Sequence, residues 1–136
     1  MKPWIVPLIF LAACAYTQLP EDQRIDGIDW KLTEMDGLPW PDDVSLRING
    51  NRLTGVGPCN AYSGRQVATI PSFSITNLHW TNMPCADPQR KQAEGLYNQQ
   101  LMHVEWIRRD GARLILTGSG ANLIFEMREA RGDEVF

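Results

Sequence analysis

The side chains able to do chemistry gather in two short stretches. The first is Gly55-Val56-Gly57-Pro58-Cys59-Asn60-Ala61-Tyr62-Ser63-Gly64 and the second Thr81-Asn82-Met83-Pro84-Cys85. Cys59 and Cys85 invite three readings. Paired, they close a loop of about 27 residues, for which chain entropy gives about 3.6 kcal/mol. Unpaired, they are two buried thiols. As a nucleophile, Cys85 stands just ahead of an expected helix N-terminus, a position that lowers a thiol pKa, and His79 or His103 would have to serve as base. Nothing in the spacing requires that last geometry.

Other chemistry is thin. There is no GxSxG, HExxH or CxxC in the chain. Zinc lacks a ligand set, with only two histidines, 24 residues apart. Gly55 and Gly57 precede neither a lysine–serine pair nor an opening helix, so they do not form a phosphate loop. Asp42 and Asp43 read as a solvated acidic loop rather than a seat for a hard cation. Trp30, Trp40, Trp80 and Trp106 read as barrel core rather than the lining of a ligand cavity. The expectation is no catalytic residue, no metal and no cofactor.

The amino terminus carries a different chemistry. After Met1-Lys2, residues 4–13 read WIVPLIFLAA. Ten apolar residues match a secretory signal and fall short of the roughly 20 that a membrane span needs. The run closes on Leu11-Ala12-Ala13-Cys14, which resembles the bacterial lipobox. Cys14 would then take a diacylglyceryl thioether, and its freed amine a further acyl chain; two or three chains anchor firmly where one does not. Ala15, in place of an aspartate, points to the outer membrane. Residues 1–13 are therefore expected to be a lipoprotein signal peptide, and 14–27 a flexible tether holding Pro20 and Gly27.

The chain has 136 residues, with 13 Lys and Arg against 16 Asp and Glu, for a net charge of −3. Loss of Lys2 makes the mature chain slightly more acidic. This balance argues against a nucleic-acid partner, which wants a basic field over the phosphates. A hydrophobic fraction of 43% with five Trp is enough for a packed core of one domain.

The elements that must position the two stretches are mainly strands. WKLTEM from Trp30 places Trp30, Leu32 and Glu34 on one face, and Asp36-Gly37 ends it. Val44, Leu46 and Ile48 alternate with polar residues. Asn49-Gly50 predicts a hairpin turn, with the return strand from Arg52 or Leu53. Tyr62 begins a strand; further strands are expected over residues 65–70 and 72–78, separated by a turn or bulge at Pro71. Asp87 caps a helix with Pro88 in its first turn, and Ala93, Leu96, Tyr97 and Leu101 fall at helical spacing. Residues 104–108 and 113–116 form a hairpin about Asp110-Gly111, and 123–127 the last strand. Residues 129–136 read as a polar tail. With no βαβ pattern, the predicted fold is mostly β: a small antiparallel barrel, or strongly curved sheet, of about seven or eight strands with one packed helix.

Taken together, these residues resemble the META domain, or HslJ-like, family of small exported bacterial proteins, over residues 28–128. The resemblance rests on Trp30-Lys31-Leu32 with Gly37, the glycine–cysteine–asparagine–tyrosine stretch, Thr81 to Cys85, and the helix ending near Leu101. It also takes in the run from Arg113 to Leu116 and Leu123-Ile124-Phe125. The family usually has glycine directly before the first cysteine; here Pro58 stands there. The resemblance implies a small antiparallel barrel similar to type III secretion pilotins, with no established enzymatic activity. Some members are lipoproteins, and one is associated with heat shock and novobiocin resistance. It also implies that Cys59 and Cys85 form a structural bridge and that Gly55, Asn60, Tyr62, Thr81 and Met83 are signature positions, not catalytic ones.

The functional expectation is a non-enzymatic outer-membrane lipoprotein facing the periplasm, acting in envelope stress tolerance or assisting another envelope protein. The alternative is a binding module for an apolar ligand or hydrophobic peptide. Its partners would be the membrane, through the lipid, and an envelope protein or peptide.

Overall fold

The computed structural model describes residues 3–5, 7 and 23–128. Cys14, Ala15, most of the signal and tether segments, and the tail over 129–136 lie outside the described residues.

Among the described residues the chain builds nine strands and one helix. In order these are β1 (Trp30–Met35), β2 (Leu38–Pro39), β3 (Ser45–Asn49), β4 (Arg52–Val56), β5 (Ala61–Gln66) and β6 (Ile75–Trp80). Then come α1 (Pro88–Met102), β7 (Val104–Asp110), β8 (Arg113–Gly118) and β9 (Ala121–Met127). All pairings are antiparallel, in the order β6-β5-β4-β3-β1-β9-β8-β7, with β2 added to β1. The edge strands β6 and β7 approach closure through the segment before β6. Phe73 N–H donates to Glu105 O (2.8 Å) and Ile107 N–H to Pro71 O (2.9 Å). The expected mostly-β, curved antiparallel sheet with a single packed helix is what the chain forms.

Alternation sets the buried face. Leu46 and Ile48 of β3, Leu53 of β4, Leu114 and Leu116 of β8, and Leu123 and Phe125 of β9 are fully buried, as are Trp30 and Leu32 of β1. The hairpin turns follow their glycines. Asn49 pairs with Arg52, so Gly50 and Asn51 are the central residues; Gly50 takes φ 60° at the first of them, one residue beyond the expected Asn49-Gly50 centre.

The facing of two side chains and the bounds of two strands also differ from expectation. In β1, Leu32 pairs with Phe125 but Glu34 with Ile124, so Thr33 is an extra residue. This bulge reverses the alternation, and Met35, not Glu34, joins the buried face. In β7 a similar shift at Glu105 turns Trp106 outward, leaving it 53% exposed rather than in the core. The expected strands over 65–70 and 72–78 are instead β5 and β6, separated by a loop over 67–74. The buried Gln66 stitches that loop, donating from Nε2 to Ser72 O and accepting at Oε1 from the Ser74 and Ala68 amides.

The expected tether also loses its last residues to the fold. Ile25 is buried and its carbonyl accepts from the Trp30 indole, while Gly27 N–H donates to Ile48 O (2.8 Å). A non-periodic segment gives no pattern from which such docking could be read.

α1 begins as predicted. Asp87 Oδ1 accepts from Gln89 N–H (2.9 Å), and Pro88 occupies the first turn. Its apolar stripe is narrower than expected, because Tyr97 and Leu101 are buried while Leu96 is exposed. Gln100 ties the helix to two strand ends, accepting from Asn122 N–H and donating to Asp36 Oδ2.

Candidate functional site

The two cysteine stretches and one face of α1 meet in a single junction. Cys59 and Cys85 are bonded to each other, with Cα atoms 5.7 Å apart. The bridge joins the β4–β5 loop to the segment leading into the helix. With the sulfurs paired, the thiol-nucleophile reading has no thiol to act with.

Beneath the bridge lies Glu94, a residue that the sequence reading passed over. Its Oε2 accepts from the amides of Cys59 (2.8 Å) and Asn60 (2.7 Å), and its Oε1 from Asn60 Nδ2 (2.9 Å). Glu94 shares a helical face with Tyr97, Asn98 and Leu101, at offsets of three, four and seven. Its place three residues before the buried Tyr97 is a weak signal, since a carboxylate at the end of so short a stripe is ordinarily solvated. Asn60 is the hub of the other side: its Oδ1 accepts from Thr81 Oγ1 (3.0 Å) and from Met83 N–H (2.6 Å). Thr81 Oγ1 in turn accepts from Ala61 N–H, and Thr81 N–H donates to Ala61 O. Met83 enters this network by its backbone alone, and its side chain is 63% exposed.

The deeper layer is aromatic. Tyr62 and Tyr97 are buried with hydroxyl oxygens 2.6 Å apart, and Tyr62 donates to Ser45 O (2.6 Å). A carbonyl can only accept, so the proton between the phenols belongs to Tyr97. Burial pushes both phenol pKa values up, Tyr62 further through its neighbour Tyr97. Trp80 packs on both rings, at 4.8 Å from Tyr62 and 6.3 Å from Tyr97, and its indole N–H donates to Asn98 Oδ1. Gly55 and Gly57 make room for this layer. A β-carbon on Gly55 would run into Ser45 O and the Tyr62 ring, and one on Gly57 would lie 2.7 Å from the Trp80 ring.

The remaining candidates lie apart from one another. His79 is exposed on β6, and His103 caps the far end of α1 through its backbone N–H. Asp43 pairs with Arg128 (2.6 Å) and Asp42 lies 3.8 Å from Arg90. Among the described residues no three metal-ligating side chains are gathered, and no helix is long and apolar enough to cross a membrane. The geometry gives the junction a bracing role, since its polar atoms point at one another.

Residues 23–130 match the META domain family. The chain belongs to the META domain family. The match begins just ahead of the docked Ile25 and spans every strand. Comparison with curated protein sequences returned no match. Among solved structures, this META domain is similar to a protein from Burkholderia xenovorans determined by NMR. The two have a TM-score of 0.64 and 22% identity, over 78% of this chain and 85% of that one. A DUF4847 family protein from Bacteroides vulgatus is similar at a TM-score of 0.53 and 12% identity, over 80% and 96% of the two chains. At these identities the likeness is one of fold.

Proposed function

We propose that this META domain is a non-catalytic module of the bacterial cell envelope. Acylated Cys14 would hold it at the periplasmic face of the outer membrane, where it supports stress tolerance or assists another envelope protein. The observation that carries the non-catalytic part is the junction itself. Asn60, Tyr62, Thr81 and Gly55 are engaged in bracing contacts, and Cys59 and Cys85 bond each other. The Leu11-to-Cys14 sequence carries the anchoring part. Membrane fractionation of the wild type and a Cys14→Ser variant tests it. Wild type should sediment with outer membrane at a mass raised by acyl groups, and the variant should be released. An unmodified wild-type mass, or a variant that stays on the membrane, overturns the anchor.

A second reading, an apolar-peptide binding module, is favoured by a surface hollow of about 240 Å³ beside the β5–β6 ladder. Tyr62, Trp80, Ala61 and Thr81 line it. Peptide binding there should shift tryptophan emission; unchanged emission on adding hydrophobic peptides removes this reading.

A further inference from the structure

The outer face of the sheet from β3 to β6 has a charge opposite to that of the chain as a whole. Arg47, Arg52, Arg65 and His79 stand at its outward positions, and none of the outward positions of these strands carries a carboxylate. The chain itself is net acidic, at −3. Arg52 and Arg65 are direct cross-strand partners in the β4–β5 ladder. Like charges directly opposite on one face repel and weaken a ladder. Arg47 is tied by its guanidinium to Gly27 O. Among the described residues Arg52 and Arg65 have no ion-pair partner. Asp26, at the β3–β4 turn, accepts from the Gly50 amide instead.

The two arginines line a cleft of about 430 Å³ together with Asn51, Ser63, Asn77 and His79. That volume lies in the range of small-ligand sites. Asn77 contributes through an irregularity in β6. Ser63 pairs with His79 but Arg65 with Thr76, so one extra residue is accommodated, and Asn77 takes φ 54°. The cleft therefore combines two guanidinium forks, two amides, a hydroxyl and an imidazole.

We propose that this cleft binds a phosphate-bearing ligand between Arg52 and Arg65. A guanidinium fork matches phosphate oxygens in geometry. A phosphomonoester carries close to two negative charges at neutral pH, enough to neutralise both arginines. A single carboxylate would leave one charge unopposed. The phosphomonoester is either a soluble molecule or a monoester headgroup at an anionic membrane surface, and the same chemistry serves both.

The test uses the full chain carrying Cys14→Ser, so that no acyl anchor holds it to vesicles, and two probes, inorganic pyrophosphate and vesicles containing phosphatidic acid. Pyrophosphate should raise the thermal midpoint, shift the amide resonances of β4 to β6, and lose its effect as salt rises. Arg52→Gln and Arg65→Gln should each weaken that response tenfold or more, while Arg108→Gln, at an exposed position of β7, should leave it unchanged. Without ligand, either cleft variant should melt slightly above wild type at low salt, because the cross-strand repulsion is gone. Arg52→Gln and Arg65→Gln should also lower vesicle co-sedimentation if the source is a membrane surface, and leave it unaltered if it is soluble. Absence of response to both probes, or an equal response in the cleft variants and wild type, overturns the proposal.

Discussion

The Tyr97 hydroxyl donates to the Tyr62 hydroxyl across 2.6 Å, while the Tyr62 proton is committed to the Ser45 carbonyl at the same distance. The two phenols thus form a relay with a fixed direction, running from helix to β5 to β3. Removing Tyr62 Oη leaves both a donor and an acceptor unpaired in the interior; removing Tyr97 Oη leaves only a lone pair. Tyr62→Phe should therefore cost about 2–3 kcal/mol and Tyr97→Phe about 1 kcal/mol. Urea unfolding of both variants checks the order, and equal losses would show that the relay has no such direction.

The same pair fixes the alkaline limit of stability. Both phenols titrate higher in the folded chain than their ordinary value of 10.0. The unfolded chain therefore loses these protons first. The pair's contribution is fully present below about pH 10 and is lost as pH rises through the folded values. The urea midpoint should fall with increasing alkalinity above about pH 10. A Tyr62→Phe/Tyr97→Phe double variant, measured in parallel, should show a visibly flatter fall.

Glu94 holds the β4–β5 loop from the helix by three charge-assisted hydrogen bonds. Glu94→Ala removes both acceptor oxygens, and with them all three bonds, at a half-buried place, and a loss of about 2–3 kcal/mol is expected. Glu94→Gln keeps one carbonyl oxygen and should lose about half as much. Hydrogen exchange at the Cys59 and Asn60 amides should speed up in both, and in the Ala variant more.

Reduction of the Cys59–Cys85 bridge should cost up to about 3.6 kcal/mol and leave the fold standing. Glu94 and the bridge pin the same loop. Once either is gone, the loop is partly free and the other holds less. Cys59→Ser/Cys85→Ser combined with Glu94→Ala should thus lose less than the sum of the two, a coupling that a double-mutant cycle reads directly.

The strand alternation, the hairpin glycines, the Asp87 cap and the two cysteine stretches were legible because each is a local pattern with a local cause. The misplaced features are those decided by register. The extra residues at Thr33 and Glu105 reverse which side chains face inward, and no local pattern marks an inserted residue. Gln66 ended β5 earlier than its neighbours imply, through bonds to a loop that follows it. Glu94 was hidden for another reason. On a helix whose apolar stripe is only Tyr97 and Leu101, a carboxylate reads as solvated until the loop above it is in place. The charge of the β3–β6 face was equally invisible, because Arg52 and Arg65 become opposites only through pairing.

Gly55 links the turn-rich stretch to the phenol relay. Its φ is not in the left-handed region, so its need for glycine is one of space rather than backbone conformation. It pairs with Tyr62 across β4–β5, and a β-carbon there would collide with Ser45 O and the Tyr62 hydroxyl and lie 2.5 Å from Tyr62 Cζ. The obstacle includes backbone, which cannot swing aside as a flexible side-chain tip can. Gly55→Ala should therefore lose at least the 1–3 kcal/mol typical of overpacking, and should break the Tyr62–Ser45 bond as well. Adding Tyr62→Phe should not restore stability, because the ring and the Ser45 carbonyl remain. Gly95→Ala offers the contrast: nothing lies within 4 Å of its added carbon, and the helix gains propensity, so the variant should be more stable by about 0.5–1 kcal/mol. Thermal unfolding of the two alanine variants side by side decides the matter. A Gly55→Ala chain as stable as wild type would mean that the β4–β5 junction is looser than the geometry around Tyr62 requires.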